Sequence, residues 1–143
     1  MAKIQPYQHK VQYYETDKMG ITHHANYIRW MEEARIDFLD QLGFPYSAME
    51  AAGIASPVTK VSCAYKRPTT FGDTVAVRVG VEAFSGAALT ICYEMRNGQG
   101  EIVCTAHSEH VFLDQAQHIV RMKRQMPEFC AALAASMEKT GTE

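Results

Sequence analysis

The stretch Tyr13-Tyr14-Glu15-Thr16-Asp17-Lys18-Met19-Gly20-Ile21-Thr22-His23-His24-Ala25-Asn26-Tyr27-Ile28-Arg29-Trp30 decides how the chain is read. It predicts a strand end, a short loop around Gly20, and the entrance of a long helix. Asp17 precedes the loop, and the pair His23-His24 opens the helix. The first N–H groups of a helix lack intrahelical partners and carry the positive end of its dipole. An acid facing such donors, with Gly20 allowing close approach, brackets a place where a carbonyl is attacked at carbon and polarised at oxygen.

Working outward, the helix is expected from about His24 to Leu42. Gly43 can take the left-handed position after it, and Pro45 cannot continue it. Roughly 18 residues at 1.5 Å each make a rod of about 27 Å. Tyr27, Met31, Ala34, Phe38 and Leu42 recur at helical spacing, and Ile28, Trp30 and Leu39 widen that seam. A helix apolar over most of its girth is expected to be wrapped by other structure. Residues 45–53 read as a short second helix.

Elsewhere the pattern has period two. Residues 8–15 carry a strand signal, Val58 to Lys66 another, and Val75, Val77, Val79 and Val81 a half-buried third. Leu89, Ile91, Tyr93 and Met95 face one way after a turn at Ser85-Gly86. Asn97-Gly98-Gln99-Gly100 marks a hairpin, and Ile102 to Leu113 a last strand. Pro127 starts a C-terminal helix with Phe129, Leu133 and Met137 on its apolar side, and the tail is expected to fray from Glu138. The order is a strand, a long helix, then four strands in an antiparallel meander. The economical packing is α+β, one domain over 1–143, with a curved antiparallel sheet of about five strands around the helix. Sheet edges and an outer face are left bare, so oligomers are expected.

The chain has 143 residues, 47% apolar and 21% charged, which is ordinary globular material. A net charge of −2 gives no support to nucleic-acid or anionic-membrane binding. No apolar run has the length of a membrane span, and the first residues lack the apolar core of a signal peptide, so a cytoplasmic location is expected. Cys63, Cys92, Cys104 and Cys130 form no metal-binding spacing and read as reduced, mostly buried thiols.

Tyr14, Asp17, Gly20, His24, Tyr27 and Glu32-Glu33-Ala34-Arg35 resemble the 4-hydroxybenzoyl-CoA thioesterase and related acyl-CoA thioesterase family of hotdog-fold proteins. Tyr65, Pro68, Gly72-Asp73 and Asn97-Gly98-Gln99-Gly100-Glu101 look like the same family's strand and turn positions. The resemblance spans roughly residues 8 to 125. It implies a hotdog domain, hydrolysis of a coenzyme A thioester without metal or cofactor, and a homodimer or dimer of dimers (a homotetramer) with sites at the dimer interface. The family's acid falls on Asp17, as nucleophile or general base, and its histidine on His24. Backbone N–H groups of His24 or Ala25 are the candidate oxyanion donors.

The remaining candidates are weighed against plainer roles. Tyr14, Tyr27 and Trp30 are candidate substrate-lining residues or core. Asn26 is expected to cap the helix or, failing that, to order the loop. Glu32 and Glu33 offer a rival carboxylate, with Glu33, Asp37 and Arg29 reading as a solvated or ion-paired face. His107 and His110 are three apart on a strand and point to opposite faces. Lys66-Arg67 and Arg121-Lys123-Arg124 are small basic clusters suited to the phosphates of coenzyme A. Two alternative functions stand beside the hydrolase: a thioesterase for acyl groups on a carrier protein, and a non-catalytic acyl-CoA-binding subunit.

Overall fold

The computed structural model describes residues 3–140, the last three by backbone alone. β1 (Tyr7–Lys10) leads through a single 3-10 turn at Tyr13–Glu15 into the loop before α1 (Ala25–Leu42). Then come α2 (Tyr46–Ala51), β2 (Val58–Tyr65), β3 (Thr74–Phe84), β4 (Ala88–Arg96) and β5 (Ile102–Val111). A short α3 (Met122–Gln125), which the sequence pattern did not predict, precedes α4 (Pro127–Thr140). The fraying expected from Glu138 falls partly outside the described residues; within them the backbone of α4 is helical to Thr140.

The strand expected over 8–15 stops at Lys10. The Glu15 carboxylate accepts the Gln12 N–H at 2.8 Å, and the Glu15 N–H returns a bond to the Gln12 carbonyl at 3.0 Å. That reciprocal pair winds the chain into a turn. α1 ends as read: Gly43 sits at φ 92°, where residues with a Cβ are strained, and the Phe44 N–H reaches the Leu39 carbonyl.

The sheet is antiparallel with strand order β1-β3-β4-β5-β2, so only β3, β4 and β5 form a meander. The expected four-strand meander is corrected: β2 lies beside β5 at the far edge. Tight turns join β3 to β4 and β4 to β5, the second held by the Asn97 side chain, which accepts the N–H groups of Gln99 and Glu101. Residues 66–73, with Pro68 among them, are too long a link for a hairpin. They run across the fold instead, past the N-terminus of α1.

Tyr27, Trp30, Met31, Ala34, Phe38 and Leu39 of α1 are buried in one core with the inward valines of β3. Ile28 is not part of it. It is 42% exposed, so α1 is covered on one side rather than wrapped, leaving a bare face with Arg29 and Glu32. α4 packs on β3 and buries Phe129 and Leu133 completely. The Phe129 ring meets Phe44 and Phe112 edge-on at 5.5 and 6.0 Å.

Two surfaces of the sheet are open as well. The outward face of β3–β5 carries Arg78, Glu94, Arg96 and His107, a polar face that does not demand an apolar cover. The β2 edge differs: Val58 and Val61 are exposed on it, as is Tyr65 at its end. All four cysteines are free thiols, but only Cys104 is fully buried. Among the described residues no helix is long and apolar enough to cross a membrane.

Removing a ring from this core has a defined cost. Phe129→Ala is expected to lower stability by about 3–5 kcal/mol, read from the shift of the urea midpoint at unchanged slope. A loss near zero would show that α4 is not part of the cooperative core.

Candidate active site

The loop before α1 is a compact device. The Asp17 N–H bonds the Ile21 carbonyl, and the Gly20 N–H bonds the Asp17 carbonyl, both at 2.9 Å. Gly20 sits at φ 81°, and a Cβ there would meet nothing within 4 Å. Glycine is thus required by the backbone angle. The Met19 N–H donates to Asp17 Oδ1 at 2.8 Å. One carboxylate oxygen is thereby fixed, and the other has no bond among the described residues.

Three ties fix this loop against the helix entrance. First, the Glu15 carbonyl accepts the His23 N–H at 2.8 Å and the Asn26 side-chain amide at 2.9 Å. Asn26 therefore orders the loop from inside the first turn instead of capping the helix. Second, the Thr22 N–H bonds the Thr69 carbonyl, and the Thr22, Thr69 and Tyr27 hydroxyls form a buried chain at 2.7 and 2.9 Å. Third, the Tyr65 hydroxyl donates to the His24 carbonyl at 3.0 Å. Burial, with smaller contributions from Cys63, raises that hydroxyl to about 12, so it keeps its proton for this bond near neutral pH.

Behind the loop lies a buried carboxylate. Glu15 accepts from Trp30 Nε1, pairs with His9 Nε2 and takes the Gln12 N–H, each at 2.8 Å. Burial alone would raise its pKa. The Gln12 N–H, His9 and Trp30 outweigh burial and hold it below the ordinary 4.5. Trp30 is thus core, fully buried and occupied with Glu15, not a substrate-lining residue. Glu33 borders the same side: on the solvated face expected for it with Arg29, it accepts the Tyr7 hydroxyl at 2.7 Å and faces His9 Nδ1 at 3.3 Å.

In front of the loop is a cleft of about 430 Å³. Asp17, His24, Tyr27, Tyr65, Lys66 and Arg67 all line it. All six were singled out in the sequence and are brought together here. Tyr14 is not: it is 78% exposed on the 3-10 turn. Glu32 lies on the bare face of α1, outside the cleft, and the basic run 121–124 is also absent from its lining.

The helix start narrows the oxyanion donors. The Ala25 N–H is taken by His23 Nδ1 at 3.2 Å. The His24 N–H has no partner among the described residues, and it is the open donor of the pair. The His23 and His24 rings lie 4.2 Å apart, and His24 meets Tyr65 edge-on at 6.2 Å. No hydrogen bond joins Asp17 to His24; the side-chain partner of Asp17 is the Met19 N–H. Arg67 is tied to Glu101 at 3.3 Å at the exposed side, and Lys66 stays unpaired among the described residues. Among those residues no three potential ligands cluster to hold a metal.

Sequence reasoning missed Glu15, Thr22 and Thr69. Thr22 and Thr69 are 47 positions apart, and no local period signals such a contact. Glu15 stood in plain view beside Asp17, but only the fold shows that it points inward.

The sequence matches the thioesterase-like superfamily over residues 11–136. YneP of Bacillus subtilis (strain 168), which carries a provisional name as an acyl-CoA thioesterase, is 36% identical over 124 residues, 86% of this chain and 90% of that protein. The acyl-CoA thioester hydrolase YbgC of Escherichia coli O157:H7 is 26% identical over 105 residues, 73% of this chain and 78% of the relative. The solved structure of DHNA-CoA thioesterase from Staphylococcus aureus superposes with a TM-score of 0.91 at 32% identity, covering 96% of this chain and 93% of its own.

The Glu15 cluster predicts a pH dependence. A carboxylate whose folded pKa is depressed contributes stability above its unfolded value of 4.5, lost as pH falls through the folded value. Urea midpoints followed from neutral to acid should fall more steeply in wild type than in Glu15→Gln, which starts lower. Parallel curves would contradict the assignment. At the loop, Gly20→Ala should cost about 1–2 kcal/mol through the left-handed backbone angle, measured by the same unfolding assay.

Proposed function

The chain belongs to the thioesterase-like superfamily, and on that premise we propose that it is an acyl-CoA thioesterase, cleaving acyl-CoA and water to a free acid and coenzyme A. The observation that carries the reading is the cleft, which is lined by both Asp17, with one carboxylate oxygen unbonded, and His24, whose N–H has no partner among the described residues. The thioester carbonyl oxygen would accept the His24 N–H, and its carbon would face Asp17. Donors aimed at developing oxyanion charge contribute about 3–4 kcal/mol each.

Asp17 acts through the oxygen that Met19 leaves free, either taking a proton from water or adding to the carbonyl itself. In both cases the tetrahedral oxyanion collapses, the C–S bond breaks, and the thiolate of coenzyme A leaves and is protonated; attack by water gives the free acid at once, whereas addition of Asp17 gives an acyl anhydride that a water then hydrolyses, releasing the acid and restoring the carboxylate. The His24 ring, beside this point, orients water or carries the proton. Such chemistry asks for no metal or cofactor beyond these groups. Lys66 and Arg67 at the same cleft suit the phosphates of coenzyme A. Tyr27 serves as a wall that keeps its hydroxyl tied to Thr69.

Assembly belongs to the same proposal. The bare β2 edge, with Val58, Val61 and Tyr65 exposed, supports pairing of two copies along β2, with the clefts at the interface. A dimer, or two dimers joined, acting in the cytoplasm is the reading we adopt.

Asp17→Asn should lower kcat/KM for hydrolysed acyl-CoA substrates by at least about a hundredfold with little change in melting temperature. Near-wild-type turnover would reject Asp17. Preference for carrier-protein thioesters, or binding of acyl-CoA without thiol release, would favour the two alternatives. For the assembly, Val61→Asp on the exposed edge should give a monomer by light scattering. An unchanged mass would place the interface elsewhere.

A further inference from the structure

A second pocket lies along the same two elements as the cleft, between α1 and β2. It has a volume of about 190 Å³. Ile28, Met31, Val58 and Val61 give it apolar walls, and its polar floor is Arg35, Tyr93, Ser108 and His110. The floor is built and buried: Arg35 is 6% exposed and His110 1%. The Tyr93 hydroxyl, the Ser108 hydroxyl and His110 Nε2 form a chain of 2.7 Å bonds.

His110 Nδ1 is buried, is directed at the Ser56 main chain and is not open to the pocket. Arg35 makes no hydrogen bond or ion pair with any described residue; its guanidinium only lies over the Tyr46 ring at 5.7 Å. Glu32, three residues earlier on α1, lines the pocket and yet forms no ion pair with Arg35. A buried cation without a counter-ion is costly, and orphaned buried polar atoms are rare. Burial first, and Arg35 second, push His110 down to about 4, and burial pushes Tyr93 up to about 12. Both are neutral near pH 7, which leaves Arg35 as the floor's charge.

We propose that this pocket receives the far end of the substrate's acyl group and that the acyl group carries a carboxylate there, held by the Arg35 guanidinium. The inference rests on the thioesterase reading and names its substrate class. Apolar walls and small volume disfavour a hydrated phosphate, whereas an apolar body ending in one carboxylate matches both walls and floor. The pocket lies along α1 from the reacting point, since His24, Ile28, Met31 and Arg35 share a face of the helix. From His24 to Arg35 the rise is on the order of 16 Å.

The test compares coenzyme A thioesters of monocarboxylic acids with half-thioesters of dicarboxylic acids of matched length, in which the spacing of the second carboxylate is varied. Wild type should favour the acid-bearing substrate at one spacing by at least about tenfold in kcat/KM. Arg35→Met should abolish that preference and leave monoacid thioesters nearly unchanged, and Arg35→Lys should keep part of it. No preference at any spacing, with monoacid thioesters cleaved, would overturn this proposal and leave the thioesterase reading standing. No cleavage of any thioester would overturn both. If Arg35→Met breaks the oligomer without altering preference, Arg35 pairs with a second copy and the proposal falls. Should Arg35→Met fail to fold, the wild-type preference alone decides.

Discussion

The buried carboxylate of Glu15 is the constraint on which the rest of the site depends. A carboxylate taken out of water is tolerated only when its lone pairs are met by donors. Here the donors come from three places: Trp30 in the middle of α1, His9 on β1, and the turn at Gln12. Satisfying one side chain therefore fixes a helix, an edge strand and a turn in mutual register. The same residue's carbonyl then receives the His23 N–H and the Asn26 amide, so the helix entrance is located by the group that anchors the loop. Asp17 follows two residues later and inherits that position.

From this anchor the functional geometry follows in order. The loop closes on itself through Asp17, Gly20 and Ile21, and the crossing segment 66–73 is stitched to it through Thr22 and Thr69. That segment crosses because β2 pairs with β5 rather than β3. This strand order thus brings Tyr65, Lys66 and Arg67 to the N-terminus of α1, and the cleft exists because of it. Its energetics are those of an unfinished helix start: the Ala25 N–H is already used by His23, and the His24 N–H is left for a ligand oxygen.

Much of this was legible in the sequence, and the reasons differ by feature. The extent of α1, its Gly43 stop and the alternating strands are local patterns, and local patterns survive folding. Asp17, His24, Tyr27, Lys66 and Arg67 line one cleft. Trp30 and Tyr14 do not, because helical spacing tells which residues share a face but not which neighbour claims them. The strand order was misread because alternation reveals a strand without naming its partner; the absence of a turn signal between Tyr65 and Thr74 was the available clue. Asn26 looked like a cap by residue type, and only the position of Glu15 shows what its amide bonds. The unpaired Arg35 was hidden among the charges of α1, since pairing is a property of the folded neighbourhood.

The central claim is that a thioester carbonyl sits between Asp17 and the His24 N–H. The most direct measurement is a crystal structure with an uncleavable acyl-CoA analogue in which a methylene ketone replaces the thioester. The account predicts the ketone oxygen within about 3 Å of the His24 nitrogen, and its carbon facing the free Asp17 oxygen. An analogue bound with its carbonyl outside the cleft, or turned away from both groups, would contradict it.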